Sequence, residues 1–212
     1  MPDPTYKPQR NQSWSQNLVR ALLVCIGCVA ILLPAWLPNN TTVPIERSTV
    51  KLLQAFILAA AAAIMLGASP HAGHYRPVCR VFALILISAV VGEIEDFLSN
   101  ILGWKVPQVW VIGLILLVAL IDTIRHRRAM LHFLAIMGNH AATGIVVAAL
   151  LILYVFNRVI GTSPFWRAAL GKAYSTEIPR ICKSYLELLA CYFLLIGALG
   201  FSLTLARRKD HS

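Results

Sequence analysis

Residues 78–99 read VCRVFALILISAVVGEIEDFLS, an apolar run of membrane-spanning length that ends in three carboxylates. A helix needs about 20 predominantly apolar residues to cross a bilayer. Carboxylates at membrane depth are costly unless they face a protein interior, a partner or a water-filled cavity. The stretch therefore predicts a transmembrane helix whose acidic end, with Glu93 and Asp96 on one face, is the first place to look for a functional site.

The rest of the chain has the same apolar character. Hydrophobic residues make up 58% of it and charged residues 13%, with a mean hydropathy of +0.70, well outside the usage of soluble domains. Apolar runs of membrane length recur along the chain. The sequence predicts an all-α polytopic membrane helix bundle with six transmembrane helices, at 18–37, 50–69, 78–99, 106–122, 131–157 and 181–206.

Residues 18–206 then form a single transmembrane domain. Residues 1–17 are polar and predict a disordered cytoplasmic tail, and residues 207–212 predict a basic cytoplasmic tail. In the fifth connection, Ser163-Pro164 is typical of a helix start, with Ser163 as N-cap and Pro164 as the first helical residue. The aromatic and basic residues after it predict a short interfacial helix.

Basic residues exceed acidic ones, with 19 Lys and Arg against 9 Asp and Glu. Most of them fall between apolar runs, where topology and anionic lipid headgroups explain them better than nucleic acid does. The lipid bilayer is therefore the expected partner, and nucleic acid is not. The positive-inside rule predicts that both termini are cytoplasmic, most simply in a bacterial cytoplasmic membrane.

Small residues at four-residue spacing mark one face of the predicted second span. Ala59, Ala63 and Gly67 form this smooth stripe, on which another helix can pack closely. The stripe predicts a contact with a protein partner or a second copy of the chain.

Two carboxylates are predicted to lie at matching depth on different helices. At 1.5 Å per residue, Glu93 and Glu187 each lie about 9 Å from the outer end of their predicted spans. Basic residues border this level on the fifth and sixth helices. The predicted binding site comprises Glu93, Asp96, Glu187, Lys183, Arg158 and Arg180. The alternative is that these groups form structural ion pairs that lock the bundle.

Further polar residues share one face of the predicted fifth helix. A continuous helix would align His132, Asn139 and Thr143 with Asn157, and would place His140 beside them near the midplane. They predict a proton path from the inner surface to the carboxylates. The alternative for His140 is a helix-to-helix hydrogen bond.

Motifs of soluble enzyme chemistry are absent from the sequence, which has no P-loop, nucleophile elbow, His-Glu-x-x-His or dinucleotide fingerprint. No cofactor or metal is expected. Three classes of function remain open. The first and most concrete is proton- or cation-linked movement of a small solute. The second is a non-catalytic membrane subunit or assembly factor, and the third is a membrane-embedded enzyme acting on a lipid or lipid-linked substrate.

Overall fold

Helices make up nearly all of the chain that the structure, a computed structural model, describes. The described residues are 26–27, 47–94, 108–137, 140–160 and 162–209, and they contain no strand. The chain divides into two compact units, Met1–Pro38 and Asn39–Ser212. Of the first unit only the helical residues 26–27 are described, so the tail 1–17 and nearly all of the predicted span 18–37 lie outside the described residues. The all-helical prediction is confirmed for the described residues.

Within its described residues, the second unit contains eight α-helices. They are α1 (Arg47–Ala68), α2 (Arg76–Glu93), α3 (Gln108–Arg125), α4 (Arg127–Met137), α5 (Ala141–Leu151), α6 (Asn157–Ile160), α7 (Ser163–Leu170) and α8 (Glu177–Lys209). Two 3₁₀ turns, Ser69–His71 and Gly73–Tyr75, connect α1 to α2. A π-helical turn, Ile152–Phe156, connects α5 to α6.

The core of the second unit lies between α1, α2, α5 and α8. Helix α1 packs against α2 and α8, α2 also packs against α3, and α8 also packs against α5. On α1 the buried residues Leu58, Ala61, Ala62 and Met65 follow helical spacing. The side chains of Ala59 and Ala63 point away from this core and are exposed.

Helices α5 and α8 are antiparallel and approach each other closely at two glycines of α8. A Cβ atom on Gly197 would lie 2.5 Å from Val146 Cγ2, and one on Gly200 would lie 2.8 Å from Ala142 Cβ. Because any larger residue would collide there, these glycines allow the two helix backbones to approach.

Four described helices are long and apolar enough to cross a membrane. They cover Val50–His71, Gly73–Glu93, Ala141–Ile160 and Glu177–Leu205. Val109–Arg125 and Arg127–Ala135 qualify only as a pair, bent by 82° at His126. The described part of the chain thus holds four such helices, or five if the bent pair counts as one. The total of six remains a prediction.

The predicted span 131–157 is not one continuous helix. Helix α4 ends at Met137, and α5 begins at Ala141 after His140, whose backbone is extended with φ −89° and ψ 139°. Gly138 and Asn139 stand between the two helices in the sequence, and both residue types have low helix propensity. An apolar run long enough for one span therefore contains a helix end and a new start.

The short helix predicted in the fifth connection is present as α7. Its N-cap is Thr162 rather than the predicted Ser163, so Pro164 stands one position later in the first turn. The Trp166 indole N–H donates to the Ile160 carbonyl, which fastens α7 to the end of α6. Gly171 ends α7 with φ +52°, a backbone conformation that favours glycine.

Candidate functional site

The charged groups define two opposite ends of the bundle. Glu93 at the end of α2, and Glu177 and Glu187 near the start of α8, mark what we call the carboxylate end. Arg80, Arg125, Arg127 and Arg128 mark the opposite, arginine end. Several of the predicted site residues lie at the carboxylate end.

Glu187 contacts one side chain on its own helix and one on another. It lies in the third turn of α8, with 27% of its side chain exposed, and its Oε1 is 3.9 Å from Lys183 Nζ. Lys183 is 53% exposed, and such a half-exposed pair stabilises a protein by at most about 1 kcal/mol. Lys183 therefore places a positive charge near Glu187 without forming a strong structural ion pair with it.

Asn157 supplies the second partner of Glu187, from another helix. Its Nδ2 donates a hydrogen bond of 3.0 Å to Glu187 Oε1. The π-helical turn directly before it is closed by the Asn157 backbone N–H, which donates to the Ile152 carbonyl five residues earlier. Single π-helical turns within α-helices occur frequently at functional sites. This wider turn determines which way Asn157 faces.

The other polar atom of the Asn157 amide has no partner. Its Oδ1 is buried and makes no hydrogen bond with any part of the chain that the structure describes. A buried unpaired acceptor costs about 1–3 kcal/mol. The atom is therefore a ready acceptor for an O–H or N–H group, or a ligand for a cation.

Glu93 reaches the same level of the bundle from α2. Glu93 and Glu187 both lie within electrostatic range of the thiol of Cys191, which is 5% exposed and lies one helical turn beyond Glu187. The structure thus brings both predicted carboxylates near one buried side chain. Glu187, Asn157, Lys183, Glu93 and Cys191 are called the polar layer below.

Sequence reasoning missed one polar residue at this level, Gln54 on α1. Its side chain is 1% exposed, and its Nε2 donates to the Ser184 carbonyl of α8 at 3.1 Å. The available signal was a lone glutamine within the apolar run of the second predicted span. A buried amide in such a run must find a partner, and here it joins α1 to α8 one turn before Glu187.

Of the three predicted basic residues, Lys183 lies beside Glu187, whereas Arg180 pairs with Glu177. Arg180 Nη2 lies 3.2 Å from Glu177 Oε2, and both side chains are more than half exposed. Arg158 is exposed. Asp96 lies outside the described residues. Of the predicted binding residues, Glu93, Glu187 and Lys183 therefore lie in the polar layer, and the role of the set in binding remains a prediction.

The residues of the predicted proton path lie on different elements. His132, on α4 at the arginine end, is exposed, and its Nδ1 is 2.9 Å from the Tyr75 hydroxyl. Its ring stacks on Tyr75 with 5.9 Å between centroids. Thr143 follows in the first turn of α5, and Asn139 lies outside the described residues. These residues do not share one face of a single helix, because α4 ends at Met137 and a separate helix, α5, begins at Ala141.

His140 has a defined structural role as the N-cap of α5. Its Nδ1 accepts a hydrogen bond of 3.2 Å from the Ala142 N–H. Its Nε2 lies 3.2 Å from the Thr204 hydroxyl, which donates its own proton to the Gly200 carbonyl. These partners assign the neutral tautomer with the proton on Nε2. Proton transfer through His140 would require this cap to open, because a protonated Nδ1 would face the Ala142 N–H.

Among the described residues, no group of three or more His, Cys, Asp or Glu side chains is arranged to hold a metal ion. No protein-family profile, curated protein or solved structure matches this chain.

Proposed function

We propose that this chain is an integral membrane protein that exchanges a proton or small cation at Glu187, coupled to the movement of a small solute through the bundle. The proposal includes six membrane crossings, both termini on the cytoplasmic side, and a bacterial cytoplasmic membrane. It is supported by the membrane-length apolar helices and by outward-facing residues such as Phe56, Trp110 and Tyr154, which are 71%, 79% and 74% exposed. Apolar surface of this kind is typical of contact with lipid or a partner.

The observation that carries the proposal is the contact between Asn157 and Glu187. An amide offers a donor and an acceptor to the same carboxyl group, whichever protonation state that group is in. The ionised carboxylate accepts from Asn157 Nδ2, as the structure shows. The protonated carboxyl gains an O–H donor, and the unpaired Asn157 Oδ1 is the acceptor beside it. Glu187 can therefore load and release a proton without leaving either form unpartnered.

The groups around Glu187 are more consistent with exchange of a proton or cation than with a permanent structural ion pair. Lys183 stabilises the ionised form through its charge but holds no short contact, at 3.9 Å. Glu93 adds a second negative charge near the same buried thiol. Glu187 is therefore held by one half-exposed ion pair and one neutral amide rather than by a tight ion pair.

Proton flux into liposomes tests the proposal. The purified protein is reconstituted, a potassium gradient with valinomycin sets the membrane voltage, and an internal pH dye reports proton entry. Because Gln keeps the shape of the side chain but cannot ionise, we expect Glu187→Gln to reduce flux about tenfold or more. The matched control is Glu177→Gln on the same helix, whose carboxylate is exposed and paired with Arg180; it should leave flux unchanged. Repeating the measurement with sodium or potassium gradients tests whether a cation is exchanged in place of a proton.

A second candidate, a non-catalytic subunit whose polar layer fixes its fold, is favoured by the interhelical hydrogen bond itself. In that case wild-type liposomes would show no flux above protein-free ones, and Glu187→Gln would lower the unfolding temperature. Wild-type flux retained by Glu187→Gln would contradict the exchange proposal directly.

A further inference from the structure

A groove of about 440 Å³ opens between α1, α2 and α3 at the arginine end of the bundle. Its volume falls within the range of about 300–1,000 Å³ that is usual for small-molecule sites. The groove belongs to neither the polar layer nor the α5–α8 contact. Its principal lining residues are Leu66, Arg80, Leu84, Val118, Ile121 and Arg125.

The polarity of the groove changes along the helix axes. Arg80 lies near the start of α2, and Arg125 is the last residue of α3. One turn deeper, about 6 Å along each helix, these arginines are followed by Leu84 and Ile121, and Val118 lies deeper still. The groove is therefore cationic at its mouth and, apart from Asp122 beside Ile121, apolar along its length, as a site for one charged headgroup and one hydrocarbon chain would be.

Both arginines are available to a ligand. Each is exposed, and within the described part of the chain neither forms an ion pair. Guanidinium groups match phosphate oxygens with paired N–H donors. Two of them on neighbouring helices at the mouth of one groove therefore suit a phosphate held between α2 and α3.

Asp122 is the one acidic residue of the groove, and His126 partly covers it. Asp122 Oδ1 lies 3.0 Å from His126 Nδ1, at the bend between α3 and α4. Two arginines and one aspartate leave the groove with a net charge of +1. The balance favours an anionic headgroup even with His126 neutral.

We propose that this groove binds an anionic phospholipid, with its phosphate between Arg80 and Arg125 and one acyl chain along Leu84, Ile121 and Val118. Basic pockets between transmembrane helices on the cytoplasmic side recognise such headgroups. The inference rests on the membrane location proposed above, but not on proton or cation exchange at Glu187. The bound lipid would join α2 to α3 at the end where α4 turns away.

Native mass spectrometry of the detergent-purified full-length protein tests the site. The probes are dioleoyl phosphatidylglycerol and dioleoyl phosphatidylcholine, added separately. We expect the wild type to retain phosphatidylglycerol, and Arg80→Gln with Arg125→Gln to weaken its binding about tenfold or more, because both charge-assisted contacts to the phosphate are lost. The control removes two exposed arginines outside the groove at the same end, by Arg76→Gln with Arg128→Gln, and should change binding less than twofold.

Three results would overturn the proposal. They are equal losses in the two double variants, equal retention of phosphatidylcholine, and displacement of phosphatidylglycerol by inorganic phosphate alone, which would indicate a free-anion site. If the Arg80/Arg125 variant does not fold, a photoactivatable phosphatidylglycerol in the wild type decides: cross-links must fall on residues 80–84 and 118–125, and cross-links confined elsewhere reject the site. If the lipid site is wrong, the protein should still be found in the membrane fraction, and flux should still depend on Glu187. Failure of the membrane proposal would instead appear as extraction of the protein by alkaline carbonate.

Discussion

The neutral ring of His140 satisfies two polar groups at once, the Ala142 N–H at the start of α5 and the Thr204 hydroxyl on α8. The first contact caps a helix, and the second joins two helices near the arginine end. One side chain thus stabilises both the beginning of α5 and its packing on α8.

Replacing His140 tests this double role. We expect His140→Ala to lower the free energy of unfolding by about 1–2 kcal/mol, because the cap is lost together with an interhelical contact. His140→Asn should recover part of that loss, since an Asn side chain also caps helices well. Thermal unfolding of the purified protein in detergent measures both. Equal stability of all three proteins would contradict the assigned cap.

The sequence was enough to estimate how deep a residue lies along its helix, but not to predict which side chain it would contact. Counting 1.5 Å per residue led us to expect Glu93 and Glu187 at one level; both lie at the carboxylate end, and their common site remains a prediction. That Asn157 faces Glu187, and that Gln54 reaches Ser184, depends on how each helix is rotated about its axis. Rotation is set by packing with neighbouring helices, which a single sequence does not contain.

At the element scale, α5 and α8 pack closely at Gly197 and Gly200 of α8. Gly200→Ala would place a methyl group 2.8 Å from Ala142 Cβ, which can move only with its backbone. We expect this change to destabilise the protein by about 1–3 kcal/mol, measured as a lower unfolding temperature in detergent.

Gly144→Ala on α5 is the matched control for Gly200→Ala. A Cβ at Gly144 has nothing within 4 Å, so the change should be neutral or slightly stabilising, because alanine favours the helix. A drop in unfolding temperature of the same size in both variants would mean that helix propensity, and not the close contact, controls the result.

The new helix start at His140 shows what apolar composition cannot reveal at the element scale. The run 131–157 has the length of a span, but α4 and α5 are separate helices. The start of α5 could not be predicted from its N-cap, because histidine is not among the preferred N-cap residues. The start of α7 was easier to predict, because Thr162-Ser163-Pro164 contains the usual residues.

For the whole molecule, the distribution of charge predicts an orientation. With the arginine end in the cytoplasm, an exposed cysteine at position 128 should react only from the inside. One at position 175, just before α8 at the carboxylate end, should react only from the outside. The test uses Arg128→Cys and Ser175→Cys, each in a background without the native cysteines, with a membrane-impermeant maleimide applied to intact cells and to inverted vesicles. Labelling of both positions from one side would reject the orientation and the six-span topology.

The π-helical turn before Asn157 has a consequence for insertions and deletions. A π turn contains one residue more than the α turn it replaces, and each residue of an α-helix rotates the chain by about 100°. If residues 152–156 wound as an α-helix without losing a residue, Asn157 would be rotated by about 100° away from Glu187, although both side chains would still be present. Deleting one residue within 152–156 would restore the α-helix and keep Asn157 facing Glu187. The partner of Glu187 therefore depends on the winding of that turn as well as on the amide that follows it.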